Sequence, residues 1–458
     1  MTIDTLLTGG TIVTATHTFN ADVAITDGKI SAIGSQTDFP AASEVVDVSG
    51  KLVMPGFVDP HVHIDDSASI DTYETATTAA ALGGITTVID FAWQTANNNP
   101  ENPPRPLLEG IERKQEKAED ALIDYSLHGG ITVETDSVLD ELSTAVEMGV
   151  TSFKMFTAYD FGISNGFIYK VLDRIADLNA VGVFHTEDNS VCETLVEDCK
   201  SRGRNDPMWY PQSRPDFAEA MAAENVLRMA MDTGAKYYGI HTSCRKSAEV
   251  IDRFRNDGSQ VRAETCTHYT TLDDSVYETQ GNLPLIAPPI RKPDDIEAMF
   301  EYLRSGTLDI VSTDHAPHSS ESKQVDWWDS PYGAGSLQRS VPVFHDEAVN
   351  RRGLGYPFLV RVMSTAPAQI FGLSEKGTLA PGTDADIVVF DPEETKRISG
   401  DENASRADFT IYEGRDVTGT VQQTYVRGER VVDEGNVVGR PGHGQYVSRS
   451  LPEWDPTR

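Results

Sequence analysis

The alternation of apolar and polar positions at both ends of the chain predicts short β-strands separated by tight turns. Near the amino terminus this pattern falls at Asp4–Thr8, Thr11–Val13, Asp22–Thr26 and Ile30–Ile33. It returns near the carboxyl terminus at Asp386–Phe390, Phe409–Tyr412, Val421–Val426 and Glu429–Val432. We expect the two ends to meet as one small β-sandwich, built from residues 1–55 and 375–440.

Between these ends, short apolar stretches alternate with segments of helical periodicity such as Ser137–Met148 and Asp216–Thr233. The predicted strands are Leu52–Val58, Ile85–Phe91, Ala121–Gly129, Thr151–Phe156, Gly182–His185, Tyr237–His241, Val261–Thr265 and Leu308–Thr313. Such alternation predicts a parallel α/β fold. About eight strands across residues 56–374 fit a (β/α)8 TIM barrel. The last segment, 441–458, contains glycine, proline and arginine and is predicted to be a C-terminal tail.

Several predicted strands end in side chains that can bind metal. His61 and His63 follow one strand, where positions i and i+2 face the same side. His185, His241 and Asp314 each end another strand. Histidines packed at a strand end would explain the first pair equally well. All the strands of a parallel barrel end on one face, however, so the five side chains are expected to converge there.

A lysine stands inside another apolar strand, as Lys154 in the sequence Val150-Thr-Ser-Phe-Lys-Met-Phe156. A buried ammonium group is costly unless it is paired, so a salt bridge to a carboxylate is one interpretation. The other is chemical, because burial favours the neutral amine, which can condense with CO2 to a carbamate. A carbamate offers two anionic oxygens that can bridge two cations.

Other histidines carry weaker predictions. His315 and His318 follow Asp314 and are candidates to orient metal ligands. His268 could support the site or be an ordinary buried histidine. Tyr159 stands five residues after Lys154, where its hydroxyl could reach a substrate oxygen or simply pack.

The composition narrows the classes of function. Lys plus Arg number 38 and Asp plus Glu 71, a formal charge of −33 that argues against nucleic acid and anionic membrane partners. No apolar stretch is long enough to span a membrane and no signal peptide is visible, so a cytoplasmic location is expected. The acids comprise 41 Asp and 30 Glu against only 13 Lys. A halophilic protein from a salt-rich cytoplasm and an ordinary acidic protein both remain open.

Six sequence motifs resemble the amidohydrolase superfamily and, within it, the cyclic amidases. They are Lys51-Leu-Val-Met-Pro-Gly-Phe-Val-Asp-Pro-His-Val-His63, Ser152-Phe-Lys-Met-Phe-Thr-Ala-Tyr159, Cys266-Thr-His-Tyr269, Ala287-Pro-Pro-Ile-Arg291, Ser312-Thr-Asp-His-Ala-Pro317 and Gly377-Thr-Leu-Ala-Pro-Gly-Thr-Asp-Ala-Asp-Ile-Val388. Together with Gly83-Gly-Ile-Thr-Thr-Val-Ile-Asp-Phe91, they are similar to dihydropyrimidinases and hydantoinases. The resemblance covers nearly the whole chain, and the motifs occur in family order.

The resemblance implies two zinc ions per subunit. The residues that it assigns to the first zinc are His61, His63 and Asp314; those assigned to the second are His185 and His241; Lys154, as N6-carboxylysine, would bridge both. Tyr159 matches the family tyrosine that binds the substrate carbonyl. Ala287 and Tyr332 fall where the family, usually with Ser and Asn, holds the ring amide through backbone groups. A homotetramer is also implied.

The implied reaction opens a cyclic amide, a dihydropyrimidine or a 5-substituted hydantoin, to an N-carbamoyl amino acid. A hydroxide bridging the metals would attack, with Asp314 moving the proton. Two departures leave other substrates open: the loop at residues 64–73 is short, and Tyr332-Gly-Ala-Gly-Ser-Leu-Gln338 is similar to allantoinases. An allantoinase or another cyclic-ureide hydrolase is the alternative, and a non-catalytic scaffold of the same fold is the second. Asp65, where dihydroorotases place an arginine, makes that activity a weaker candidate.

Overall fold

A computed structural model describes residues 2–94 and 105–454, and it begins with seven strands that precede the barrel. These strands are β1 (Ile3–Thr8), β2 (Thr11–Val13), β3 (Thr18–Asn20), β4 (Asp22–Thr26), β5 (Lys29–Gly34), β6 (Ala42–Asp47) and β7 (Leu52–Pro55). Four of them form a sheet in the order β5-β4-β1-β6. The other three join strands from the carboxyl-terminal end of the chain.

Eight parallel strands follow and form the barrel. They are β8 (Phe57–Val62), β9 (Ile85–Trp93), β10 (Asp124–Gly130), β11 (Ser152–Phe156), β12 (Val181–His185), β13 (Lys236–Gly239), β14 (Val261–Cys266) and β15 (Ile310–Ser312). Each pairs with the next in chain order. A bridge between Val62 and His315 joins the last strand's end to the first. The predicted (β/α)8 fold is confirmed, and the strand residues are almost all buried because both faces of the sheet are covered.

Helices cover the outside of the barrel and build the loops above it. They are α1 (Tyr73–Leu82), α2 (Leu107–Lys117), α3 (Asp136–Glu147), α4 (Asn165–Asp177), α5 (Asn189–Ser201), α6 (Tyr210–Ser213), α7 (Asp216–Thr233), α8 (Arg245–Asn256), α9 (Thr267–Thr271), α10 (Val276–Gln280), α11 (Pro293–Ser305), α12 (Leu337–His345), α13 (Tyr356–Val360) and α14 (Ala366–Ile370). Helix α7 ends at Gly234, whose φ of 73° closes the last turn. No helix in the described ranges is long and apolar enough to cross a membrane.

The chain then returns to the first sheets through β16 (Ile387–Arg397), β17 (Asp416–Val426), β18 (Glu429–Asp433) and β19 (Asn436–Val437). These strands form a seven-stranded sheet with the earlier ones, in the order β19-β18-β17-β16-β7-β2-β3. Buried side chains from both ends of the chain pack together between the two sheets, among them Leu7, Ile25, Val53, Ile387 and Val389. The termini therefore share one core.

Two strand predictions were wrong. Leu52–Val58 is two strands in different sheets, separated at Gly56, where a side chain would meet Thr86. Phe409–Tyr412 forms a turn, although Ile411 is only 1 % exposed. In this turn the backbone N–H of Tyr412 donates to the Thr410 hydroxyl instead of to a neighbouring strand. The segment is apolar because it is buried, and the same pattern would be expected of a buried strand.

The sandwich is fixed to the amino-terminal end of the barrel by a buried ion cluster. Lys376 Nζ lies 2.5 Å from Asp124 of β10, and 2.8 Å from both Asp384 and Asp386. Arg427 pairs with Asp124 as well. Breaking one member of such a cluster leaves an unpaired buried charge, so the cluster specifies how the two parts dock.

The carboxyl-terminal segment packs against its own barrel. The N–H of Val447 donates to the carbonyl of Tyr125 at 2.7 Å. Arg449 donates to the hydroxyl of Ser126 and the carbonyl of Leu127, and its guanidinium lies 5.8 Å from the ring centre of Phe371. Trp454 is 8 % exposed and donates its indole N–H to Ile370. These contacts cover the end of the barrel opposite the strands' carboxyl ends.

Candidate active site

A cavity of about 310 Å³ opens at the carboxyl ends of the barrel strands. Its lining includes all nine residues that the family resemblance assigns to metal or substrate: His61, His63, Lys154, Tyr159, His185, His241, Ala287, Asp314 and Tyr332. They come from six different strands or the segments that follow them. The fold therefore brings together side chains that are as far as 271 positions apart in the sequence, between His61 and Tyr332.

The first group of possible ligands surrounds Asp314. Its Oδ1 lies 3.0 Å from His61 Nε2 and 3.5 Å from His63 Nε2. One ligand atom from each of the three residues falls within 4.8 Å of the others, a spacing at which they could hold a metal ion. Burial alone would raise the pKa of Asp314, but His61 and the other nearby imidazoles hold that pKa well below its usual range. The carboxylate is therefore anionic.

His185 and His241 form a second pair, with His185 Nδ1 2.9 Å from His241 Nε2. Burial lowers the pKa of His185 to about 4, and it lowers that of His241 well below its ordinary value. Both imidazoles are consequently neutral near pH 7. A neutral imidazole with an available lone pair is the form that binds zinc and similar metals.

Lys154 lies between the two groups, with 1 % of its surface exposed. Its Nζ sits 4.5 Å from the ring centre of Phe156 and 5.3 Å from that of Phe91. Across residues 2–94 and 105–454, no carboxylate lies within ion-pair distance of it. Burial lowers the pKa of this amine to about 7, with Asp314 and Glu264 acting in the opposite direction. A salt bridge, one of the two interpretations of this lysine, is thus not formed with the described residues.

Two glutamates that the sequence analysis did not single out hold the histidines in place. Glu264 accepts from His61 Nδ1 at 2.6 Å, from the Tyr238 hydroxyl at 2.7 Å and from the backbone N–H of His241 at 3.2 Å. Glu187 accepts from His185 Nε2 at 2.9 Å. Each bond turns the ring's other nitrogen toward the cavity, and such partners tune metal ligands.

A signal for both glutamates does exist in the sequence. Glu264 is an acidic residue in the middle of the buried strand β14, and it is fully buried. Glu187 comes two residues after His185. A buried ionisable group requires a partner, so both glutamates could have been suspected of supporting the site, although the sequence does not identify their partners.

Backbone strain concentrates at this site. Tyr159, His241 and Asp314 have φ values of 70°, 36° and 48°, in the left-handed region that non-glycine residues rarely adopt. These backbone conformations change the direction of the chain just after three strands, and all three side chains line the cavity. Residues held in such conformations cluster at functional sites, because the surrounding structure has to stabilise them.

The remaining predicted residues form the cavity's rim. Ala287 is 9 % exposed, and Gly333, next to Tyr332, donates its N–H to the Leu285 carbonyl at 2.8 Å. His318 Nε2 lies 3.0 Å from the carbonyl oxygen of Tyr332 and also lines the cavity. These bonds fix two backbone segments on one side of the site.

The other two histidines have different positions. His315 bonds Asp71 at 2.9 Å and accepts from the Ser336 N–H at 3.0 Å, so it ties loops together behind the cavity. His268 is buried, and burial lowers its pKa to about 4. Neither is among the cavity-lining residues.

Aromatic and small residues complete the lining of the cavity. Trp93, Phe156 and Phe161 supply apolar surface, while Ser67 and Ala68 come from the short loop after His63. The indole N–H of Trp93 donates to Asp66 at 2.9 Å, which fixes its ring parallel to that of His63. A flat, apolar group of a bound ligand would fit against these residues better than a charged one.

Comparisons with known proteins agree with the fold and the motifs. A family model described as "Amidohydrolase family" matches residues 52–431. A D-hydantoinase of Streptomyces coelicolor is 36 % identical over 99 % of this chain and 100 % of its own. An allantoinase of Salmonella choleraesuis is 34 % identical over 98 % of this chain and 99 % of its own.

A solved structure agrees as well. The crystal structure of dihydropyrimidinase from Brevibacillus agri superimposes with a TM-score of 0.93 at 32 % identity, covering 98 % of this chain and 100 % of that one. Full-length similarity in both sequence and structure confirms the resemblance drawn from the motifs. The chain belongs to the amidohydrolase family.

Proposed function

We propose that this enzyme hydrolyses the cyclic amide bond of a dihydropyrimidine or a 5-substituted hydantoin, giving an N-carbamoyl amino acid. The observation that carries the proposal is Lys154. This buried amine has no anionic partner among the described residues, and it stands between two groups of potential metal ligands. The names of the similar D-hydantoinase and dihydropyrimidinase support the same chemistry.

The donor atoms fit two zinc ions. His61, His63 and Asp314 would hold the first, and His185 and His241 the second, all with ligand types that zinc prefers. Lys154 would bridge them as a carbamate, since its lowered pKa keeps the nucleophilic neutral amine populated near pH 7. Two zinc ions would supply Lewis acidity that polarises the amide carbonyl and makes a water nucleophilic near neutral pH.

The protein's own groups would direct the rest of the reaction. The Tyr159 hydroxyl would donate to the carbonyl oxygen as that oxygen gains negative charge. Asp314 would take a proton from the attacking water and pass it to the ring nitrogen as the C–N bond breaks. Backbone groups of Ala287 and Tyr332 would hold the ring amide. Because the cleaved bond lies within a ring, the reaction gives a single product, which has a new carboxylate and a terminal carbamoyl group.

A substrate panel tests the proposal. Purified enzyme, supplied with zinc and bicarbonate, is assayed with dihydrouracil, 5-substituted hydantoins, allantoin and dihydroorotate at low and molar KCl. We expect the highest kcat/KM for dihydrouracil or a hydantoin, and two zinc ions per chain by elemental analysis. Hydrolysis of none of these rings, or fewer than one zinc per chain, would contradict the proposal.

Allantoin hydrolysis is the second candidate, and the similarity to the Salmonella choleraesuis allantoinase favours it. Allantoin carries a polar ureido substituent on a hydantoin ring. The apolar wall of Trp93, Phe156 and Phe161 suits an aromatic or aliphatic substituent better. A higher kcat/KM for allantoin than for any other hydantoin would reverse this order. A non-catalytic scaffold is a third possibility, which the full set of ligand side chains in one cavity argues against.

A further inference from the structure

We propose that Arg214 is a positioning residue that fixes the direction of the Tyr159 hydroxyl hydrogen. Arg214 lies between helices α6 and α7 and is 5 % exposed. Its role is a consequence of the proposed function, because it acts through the hydroxyl group assigned there to the substrate carbonyl. The inference concerns how that hydroxyl is oriented, which the sequence motifs do not address.

A carboxylate holds the guanidinium rigidly. Arg214 Nε donates to Glu187 Oε1 at 3.0 Å, and its Nη2 donates to Glu187 Oε2 at 2.5 Å. This two-bond pairing is the strong geometry available to arginine but not to lysine. Glu187 also accepts from His185 Nε2 at 2.9 Å. A continuous line of bonds therefore runs from a possible metal ligand through Glu187 to Arg214.

The contact between Arg214 and Tyr159 decides in which direction the Tyr159 hydroxyl hydrogen points. Arg214 Nη2 lies 3.3 Å from the Tyr159 hydroxyl oxygen. A guanidinium can only donate hydrogen bonds, so the hydroxyl oxygen must accept here. Its own hydrogen then points away from Arg214, and none of the residues that the structure describes accepts it. The free hydrogen is left for an acceptor in the cavity that Tyr159 lines.

The protonated state of Tyr159 is consistent with this role. Burial raises the pKa of the hydroxyl well above its ordinary value, while the charge of Arg214 acts in the opposite direction. The group is thus a hydrogen-bond donor at neutral pH. Arg214 also lies 5.2 Å from the Tyr159 ring centre and 5.3 Å from that of Tyr332, so it packs against two rings that line the cavity. A purely structural role is the alternative that an experiment has to separate.

A double-mutant cycle makes the separation. The full-length enzyme, Tyr159→Phe, Arg214→Lys and the double variant are compared with the best hydantoin or dihydropyrimidine of the panel. We expect Arg214→Lys to lower kcat about tenfold or more, with a smaller change in KM, because a donor to the reacting oxygen loses its orientation. In the Tyr159→Phe background the same change should alter kcat less than about twofold.

Arg255→Lys is the matched control. Arg255 makes an equivalent pairing with Asp309, on the side of the barrel away from the cavity. We expect it to lower the unfolding temperature as Arg214→Lys does, while leaving kcat unchanged. Zinc content and circular dichroism are measured for every variant, and kcat is normalised to the fraction of zinc-loaded enzyme.

If Arg214→Lys does not fold, Arg214→Gln is the second variant, because it removes the guanidinium and leaves Glu187 and its bond to His185 unchanged. The same loss of kcat, absent when Tyr159 is Phe, is expected. Equal fold-losses with and without the tyrosine hydroxyl would overturn the positioning role, as would a KM change that persists in the Phe background. Full activity in Tyr159→Phe alone would instead contradict the proposed function.

Discussion

At the scale of single residues, Lys154 is where this molecule departs most from ordinary packing. Other buried lysines here have oxygen partners: Lys376 contacts three carboxylates, and Lys236 donates to Asn179 and Pro452. Lys154 packs against two aromatic rings, and no carboxylate of the described residues lies within ion-pair distance, although the charges of Asp314 and Glu264 act on it from farther away. Under the proposed function, uptake of CO2 by this amine would supply the negative charge that two bound cations require.

Replacement of this lysine should therefore remove activity without unfolding the protein. We expect Lys154→Ala to lower kcat at least a thousandfold and to reduce zinc content, because the bridging ligand is lost. Acetate or propionate at high concentration should restore part of the rate by supplying a carboxylate in the vacated space. Lys236→Met, another buried lysine, serves as the control. Undiminished activity in Lys154→Ala would contradict the bridging role.

A second buried lysine gives a prediction about pH. Lys323 is 2 % exposed and donates to the Leu285 carbonyl at 3.1 Å, and burial lowers its pKa to about 7 from 10.5. The unfolded chain thus binds this proton more tightly than the folded protein. Between about pH 7 and 10.5 this group makes the free energy of unfolding rise with pH, and below pH 7 its burial costs most.

Lys323→Met should consequently stabilise the protein at pH 6 by about 1–4 kcal/mol relative to its effect at pH 10, since the lost hydrogen bond offsets part of the gain. Urea unfolding at the two pH values measures the difference. The exposed Lys170→Met is the control, with no pH-dependent gain expected. An equal effect of Lys323→Met at both pH values would count against the ionisation argument.

At the scale of strands and helices, the sequence predicted the positions of the possible ligands well. The carboxyl ends of parallel strands share one face of a barrel, so residues that end strands must converge. The prediction was wrong where a buried segment does not form a single paired strand. Leu52–Val58 is a continuous apolar stretch, but it is divided between two sheets. Phe409–Tyr412 is buried without a partner strand.

The residues that hold the site's side chains in place could not be predicted from the sequence for a different reason. Glu264 and Arg214 act through hydrogen bonds to residues 203 and 55 positions away, His61 and Tyr159. No periodicity in one sequence encodes such a pairing, because it depends on which loops meet. A buried charge could be suspected from its surroundings, but its partner could not be identified.

The carboxyl-terminal segment offers a test of packing between elements. Trp454 packs with Val58, Phe371 and Ile370 in one buried cluster. We expect Trp454→Ala to lower the free energy of unfolding by about 3–5 kcal/mol, as is usual for removing a buried aromatic side chain. Leu451→Ala, which is 38 % exposed, should change it by less than about 0.5 kcal/mol. Similar small effects for both would mean that the segment is not bound in solution.

At the scale of the whole molecule, the charge of −33 is a property of the surface. The buried carboxylates are occupied by nearby cations or donors, as Asp124, Glu187 and Glu219 show. The candidate active site thus accounts for only a few of the 71 acidic residues. The remainder repel one another in dilute buffer, and mobile ions screen that repulsion over a few ångströms at molar salt.

Thermal unfolding at low and molar KCl tests whether this surface is adapted to salt. We expect a higher unfolding temperature in molar KCl, because screening removes self-repulsion that the compact state suffers more than the unfolded chain. Ammonium sulfate at equal ionic strength separates screening from general salting-out. Equal stability at the two KCl concentrations would rule out the halophilic hypothesis.

The shared sheet of the two chain ends has a consequence for synthesis on the ribosome. Strand β7 hydrogen-bonds β16, some 335 residues later, and Trp454 closes the far end of the barrel. Strand β7 is therefore made long before its partner, and its apolar face stays uncovered until β16 has been translated. A polypeptide released before β16 would lack both the completed sheet and the packing of Trp454. The core that the two ends of the chain share can therefore form only after both β16 and Trp454 have been translated.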